Sequence, residues 1–359
     1  MEPALSTAKN EAYDDTRRRP IVIHPTIGRQ PIPSLGDLDP PGERGGRPSC
    51  PQRSGTARRR LRIGSYLAML AYCLVRSVCA QELEPRVYSP NPVGINFVLV
   101  AYGRSQGQVL FDPSVPVQNV ESTLNVAGLG YGATFGAWGH LASASLAVPF
   151  VSGTVSGEVG GGQSEIERTG LADVSLRLGL NLFGIPALSP AEFAQHPAQT
   201  ALGASLVIVA PTGDYDSSRL INLGTNRWAF KPELGLSYPI GHWFLEAYGG
   251  IWFFTTNTEY YGDTQRSEQP LASFQAHVSY TFRRGLWLAA DATYYRGGQT
   301  SVDGRDQDDR QANTRIGLTL AVPVTQHQSI KLAWSDGVVV RFGGSFNTLT
   351  LAWQYAWFD

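Results

Sequence analysis

Beyond residue 80 the chain has neither cysteine nor methionine; Cys50, Cys73, Cys79, Met1 and Met69 all lie before that point. A long cysteine-free stretch fits a protein that crosses an oxidising compartment, where stray thiols would cross-pair. Charge is scarce too, with Asp, Glu, Lys and Arg together making only 16% of the chain. Long apolar runs are missing: no window approaches the roughly 18 residues that a membrane helix needs. If this chain enters a membrane it must cross as strands, and only a closed barrel leaves no strand edge unpaired in hydrocarbon. His140, His196, His242, His277 and His327 are scattered without metal-ligand spacing, so no metal and no cofactor is expected. The glycines of Gly157–Gly162 lack the Lys-Ser and following helix of a phosphate loop and read as an exterior loop.

What is present divides sharply at the same place. Residues 1–80 carry 13 Lys and Arg against 7 Asp and Glu, whereas residues 81–359 carry 16 against 23. Neither half has the character of a nucleic-acid binder. Arg58, Arg59, Arg60 and Arg62 make a basic region, Ile63 to Val75 a short apolar core, and Ser77-Val78-Cys79-Ala80 a run of small residues. That order is a signal peptide over 58–80, with cleavage between Ala80 and Gln81. The bulky Tyr72 before Cys73 argues against a lipoprotein site. Residues 1–57, rich in Pro, Arg and Gly, are expected to be a disordered extension. They are either a start assigned too far upstream or a long leader, and the fold occupies 81–359.

Within 81–359 alternation dominates. From Leu171 to Leu182, Ala172, Val174, Leu176, Leu178, Leu180 and Leu182 share one face, while Asp173, Ser175, Arg177, Gly179 and Asn181 share the other. The pattern recurs about twelve times, roughly over 93–103, 119–135, 138–148, 169–182, 198–211, 225–238, 242–255, 270–283, 285–296, 310–322, 328–336 and 346–358. Most of these stretches match the nine to eleven residues, or somewhat more, that a tilted strand needs to cross a bilayer. The fold class is therefore all-β: a transmembrane antiparallel up-and-down barrel of about 12 strands with lipid outside and water inside. Every odd connection is expected to be long (104–118, 149–168, 212–224, 256–269, 297–309, 337–345). Most even ones are tight, as at Gly136-Ala137, Tyr238–Gly241 and Arg283–Gly285. Long exterior loops and short periplasmic turns are the habit of outer-membrane barrels. The exception, 183–197, carries Ser189-Pro190-Ala191-Glu192, an N-cap with Pro at the first helical position. Leu349, Leu351, Trp353, Tyr355 and Trp357 share a face of the last strand, as an aromatic girdle and assembly signal would.

Four segments resemble one family closely: NLFGIPALSPAEFA (181–194), TNRWAFKPELGLS (225–237), TYYRGGQTSVDG (293–304) and the final LAWQYAWFD. They look like the family named for a meta-pathway of phenol degradation, over roughly 90–358. The resemblance implies an outer-membrane barrel of a Gram-negative bacterium, associated with the degradation of aromatic compounds and labelled a transporter. It supplies no catalytic residues.

If apolar faces meet lipid, the lumen receives Asp173, Arg177, Lys231, Glu233, Glu246, His277, Asp291, Arg315 and Lys331, together with Phe244, Tyr248, Trp252, Trp287 and Tyr295. Both charge signs are present, so no single-sign field selects the solute. Aromatic rings with scattered polar groups suit small aromatic solutes; alternatively these side chains simply fill a narrow interior. The expected function is a channel for passive or facilitated passage of small aromatic or hydrophobic compounds, driven by the solute's own gradient. The alternative is a plugged barrel with a structural or surface-interaction role. A lipid-processing enzyme using Ser279 and His277 is a minor alternative, because neighbours on one strand face stand about 7 Å apart. Expected partners are outer-membrane lipid and lipopolysaccharide, the barrel-assembly machinery and the solute. The loop acids Asp303, Asp306, Asp308 and Asp309 are either a solvated charge run or a divalent-cation or lipopolysaccharide bridge.

Overall fold

A computed structural model describes residues 83–110, 117–159, 162–219 and 221–358; the leader, the signal segment and the Ala80/Gln81 junction lie outside the described residues. The strands are β1 (Ile95–Leu110), β2 (Val117–Ala137), β3 (His140–Val159), β4 (Gly162–Leu171), β5 (Val174–Phe183), β6 (Ala201–Ala210), β7 (Ala229–Ile240) and β8 (Trp243–Phe254). They continue with β9 (Arg266–Glu268), β10 (Leu271–Arg283), β11 (Leu286–Gly297), β12 (Thr300–Val302), β13 (Arg305–Asp306), β14 (Gln311–Pro323), β15 (Gln328–Val339) and β16 (Gly343–Phe358).

One antiparallel sheet contains all but β9, β12 and β13, and it closes on itself through β1 with β16 and β2 with β3. The outer half of β3 pairs with β4 and its inner half with β5. β4 and β5 are thus two halves of a single wall strand, and the barrel has 12 strands. Alternation places the side chains: on β7, Ala229, Lys231, Glu233, Gly235 and Ser237 are buried while Leu234, Leu236 and Tyr238 are exposed. The exposed residues, with Leu245, Ile251, Phe253, Phe274, Val278, Leu318 and Leu351, form an apolar outer surface. So large a continuous patch has no place in water and suits hydrocarbon.

The structure departs from expectation in three places. The 171–182 alternation is broken at Ala172–Asp173, and Ala172 is buried rather than lipid-facing. The break serves the Asp173 carboxylate, which accepts from Gly213 N (2.9 Å), Thr225 N (2.8 Å) and Thr225 Oγ1 (2.6 Å) and so ties down the 212–225 loop. Three expected long connections are mostly strand: β1 extends to Leu110, β3 and β4 leave only 160–161 between them, and β15 and β16 leave 340–342. The Gly136-Ala137 turn falls at Trp138–Gly139, both at positive φ (52° and 80°), the pairing that a two-residue hairpin needs.

The connection between β5 and β6 holds the helix read from sequence, α1 (Pro190–Gln195). Ser189 Oγ accepts from Glu192 N while Glu192 Oε2 accepts from Ser189 N, a reciprocal capping box.

Candidate functional site

The lumen is occupied by the chain itself. Residues 83–94, just before β1, run inside the barrel near its short-turn end and bond to wall strands far away in sequence. Arg177 Nη1 meets the Glu84 carboxylate at 2.6 Å. Arg86 donates its backbone N–H to Glu246 Oε2 (2.8 Å), Nε to Ser279 Oγ (2.9 Å) and Nη2 to Thr281 Oγ1 (2.6 Å). Its guanidinium lies over Phe244 (4.6 Å) and Trp287 (4.7 Å). Burial pushes the guanidinium down to about 10, against the pull of Glu246, so it remains a cation at neutral pH.

Tyr88 is the deepest anchor of this plug. Its hydroxyl bonds Ser205 Oγ (2.8 Å) and Glu233 Oε1 (3.1 Å), and its ring packs edge-on against Tyr248 at 4.9 Å. Burial, then Glu233, holds the phenol above its ordinary value, so it stays a neutral donor. The ring has room because two glycines face each other across β6 and β7: Gly203 pairs with Gly235, and a Cβ on either would overlap the Tyr88 ring.

Glu233 is the hub of the polar interior. Besides Tyr88 it accepts from Arg177 (2.7 Å), Lys231 Nζ (2.8 Å) and Gln275 Nε2 (3.3 Å). A buried carboxylate is tolerable only with such pairing. His277 Nδ1 lies 2.7 Å from Asp291 Oδ1, and Asp291 Oδ2 accepts from Thr319 at 2.9 Å. Ser279 Oγ accepts from Arg86 Nε while His277 Nδ1 faces Asp291, so neither of these bonds joins the serine and histidine that the enzyme alternative required.

Of the residues singled out from sequence, Arg177, Glu233, Phe244, Glu246, Tyr248 and Trp287 contact the plug, while Lys231, His277 and Asp291 join them in the wall. Arg315 is elsewhere, bonded to Ser335 Oγ and the Phe346 carbonyl. Trp252 and Tyr295 lie toward the long-loop end in an apolar cluster with Val207, Val209, Ala229 and Leu271. Above that cluster, loop residues form buried ion pairs, Arg227 with Glu268 (2.7 Å) and Arg266 with Asp309 (3.7 Å). Of the loop acids only Asp309 is buried, where it also accepts from Thr300 N and Oγ1; Asp303, Asp306 and Asp308 are exposed, Asp303 accepting from Gln265 N and Asp308 facing the exposed Arg341.

Glu84, Arg86 and Tyr88 escaped the sequence reading, because a turn-rich segment bonded through scattered side chains has no period. The one available signal was the inward pair of glycines, Gly203 and Gly235, a gap in a lumen that something had to fill.

Comparison with known proteins agrees with this architecture. A family model described as "Putative MetA-pathway of phenol degradation" matches residues 104–350. No curated protein sequence gives a significant match. Among solved structures, the COG4313 outer membrane channel from Pseudomonas putida F1 superposes with a TM-score of 0.65 at 23% identity, covering 77% of this chain and 100% of that one. The transport unit of the autotransporter AIDA-I from Escherichia coli is more distant, with a TM-score of 0.46 at 11% identity, covering 80% and 98%.

Proposed function

The chain is an outer-membrane β-barrel that belongs to the family described as "Putative MetA-pathway of phenol degradation", and from that premise we propose that it passes small aromatic or otherwise hydrophobic compounds down their own gradient. The observation that carries this reading is the apolar cluster on the inward faces of β6, β7, β8, β10 and β11: Val207, Val209, Ala229, Trp252, Leu271 and Tyr295. A lumen built only to hold water has no reason to bury six apolar side chains in one place. A solute arriving from the long-loop end would pass the loop ion pairs Arg227–Glu268 and Arg266–Asp309, then Trp252 and Tyr295, then the Tyr248 ring, and then the plug. Arg177, Lys231, Glu233, Glu246, His277 and Asp291 would act mainly by holding plug and wall in place. The similar solved protein that is itself described as an outer membrane channel supports the same reading. No catalytic step is proposed.

A second reading is favoured by the plug: a closed barrel with a structural or surface role. Flux through the purified protein in liposomes separates the two, comparing benzoate with a sugar of similar size. Preferential benzoate flux that falls on Trp252→Ala supports the channel. Equal flux of both probes means a general pore, and no flux above empty liposomes from a folded barrel favours the closed reading.

A further inference from the structure

The short-turn end of the barrel holds a half-open cavity of about 630 Å³ bordered by the plug, the α1–β6 connection and the short-turn ends of several wall strands. That is a ligand-sized volume. Two cations line it, Arg86 from the plug and Lys331 from β15. Lys331 Nζ lies 5.8 Å over the Trp287 ring, whose centroid is also 4.7 Å from the Arg86 guanidinium carbon. Among the described residues neither side chain has a carboxylate within ion-pair distance. The acids nearby are already engaged. Glu84 bonds Arg177, Asp291 bonds His277 and Thr319, and Glu246 takes the Arg86 backbone N–H and the Ser89 hydroxyl. The remaining lining is mixed, with Pro85, Ile185, Phe193 and Phe244 on the apolar side and polar groups such as Asn91 and His196 on the other.

Two cations without a bonded counter-charge, beside aromatic and aliphatic walls in a half-open concavity, ask for an anion with an apolar body. We infer that this periplasmic vestibule is a binding site for a small aromatic carboxylate, its carboxylate between Arg86 and Lys331 and its ring against the Phe244 and Phe193 side. Glu246 offsets part of the Arg86 charge, which favours a monoanion over phosphate or sulfate. The lone charge of a carboxylate also leaves the rest of the molecule free to use the apolar lining. The inference rests on the channel reading, giving the passage a holding point at its inner mouth, but it concerns equilibrium binding and is tested without flux.

The test is a titration of the purified, detergent-solubilised protein with benzoate and with its neutral isostere benzamide, followed by tryptophan fluorescence and by calorimetry. Benzoate is expected to bind at least ~10-fold tighter than benzamide, the worth of one charge-assisted contact. Lys331→Gln is expected to bring that preference within about twofold, with heat-modifiable gel mobility confirming a folded barrel. Trp287→Leu, which keeps Lys331 but removes the ring under both cations, is expected to weaken both probes and serves if the first variant does not fold. Equal binding of benzoate and benzamide overturns the inference, as does a preference that survives Lys331→Gln. Displacement of benzoate by equimolar inorganic phosphate also overturns it, since the site would then read charge alone. Preferential benzoate binding with no liposome flux leaves the site standing and removes the channel reading; flux without that preference does the reverse.

Discussion

Placing a methyl group at Gly235 should undock the plug. Its Cβ would overlap the ring of Tyr88, with even Cγ only 2.7 Å away, and the facing Gly203 leaves the ring nowhere else in the slot. Tyr88 is 5% exposed when docked. A tyrosine buries about 200 Å², worth roughly 5 kcal/mol at 25 cal/mol per Å². Losing half of that, together with the bond to the Glu233 carboxylate at about 1.5 kcal/mol, removes about 4 kcal/mol of docking. That is a shift of roughly 700-fold in the docked-to-undocked ratio. Because an inward alanine is ordinary in a strand, the wall itself should fold as before. Planar-bilayer conductance is the assay: Gly235→Ala should open more often or conduct more than the unaltered protein. Tyr88→Ala should do the same, and the double variant should add nothing further, since both changes remove one interaction. A folded Gly235→Ala barrel with unchanged conductance would refute the reasoning.

Other consequences are more local. Asp173→Asn places an amide where three donors converge, so amide exchange across 212–225 should quicken while the heat-modifiable mobility of the barrel is retained. Glu268→Gln strips the buried partner from Arg227; at about 3 kcal/mol for a buried pair broken from one side, protease nicking of the 255–270 connection should rise sharply. Hydrogen bonds from the Ser189 side chain and backbone lower the Glu192 carboxyl below its ordinary 4.5. A depressed acid stabilises fully above that ordinary value and loses its contribution as pH falls through the lower folded one. Protection of residues 191–195 against amide exchange should therefore decline below about pH 4.5, and Glu192→Gln should flatten that profile.

The wall was legible because each strand is read twice, once by lipid and once by the lumen. Leu234 and Lys231, three residues apart, could only belong to opposite faces. The helix at Pro190 was legible for a different reason, since the Ser189–Glu192 box is local chemistry. Asp173 was placed on the correct face, but alternation carries no sign that its carboxylate would interrupt the strand to hold a loop forty residues away. The extension of β3 to Val159 and of β4 from Gly162 was hidden because polar, glycine-rich strands beyond the bilayer lose the apolar face that identifies a strand. The plug was hidden most completely. Arg86 finds Ser279 and Thr281, and Tyr88 finds Ser205 and Glu233, only after the barrel has closed around them.

The seam between β1 and β16, in register from Ile95 opposite Phe358 to Leu110 opposite Gly343, makes the barrel a test of its own completeness. One edge of the first wall strand has no partner until the last wall strand arrives, so a chain stopped short of residue 343 would be an open sheet with two raw edges. In hydrocarbon those edges have no water to satisfy them. A truncated copy would therefore fail outright rather than function poorly.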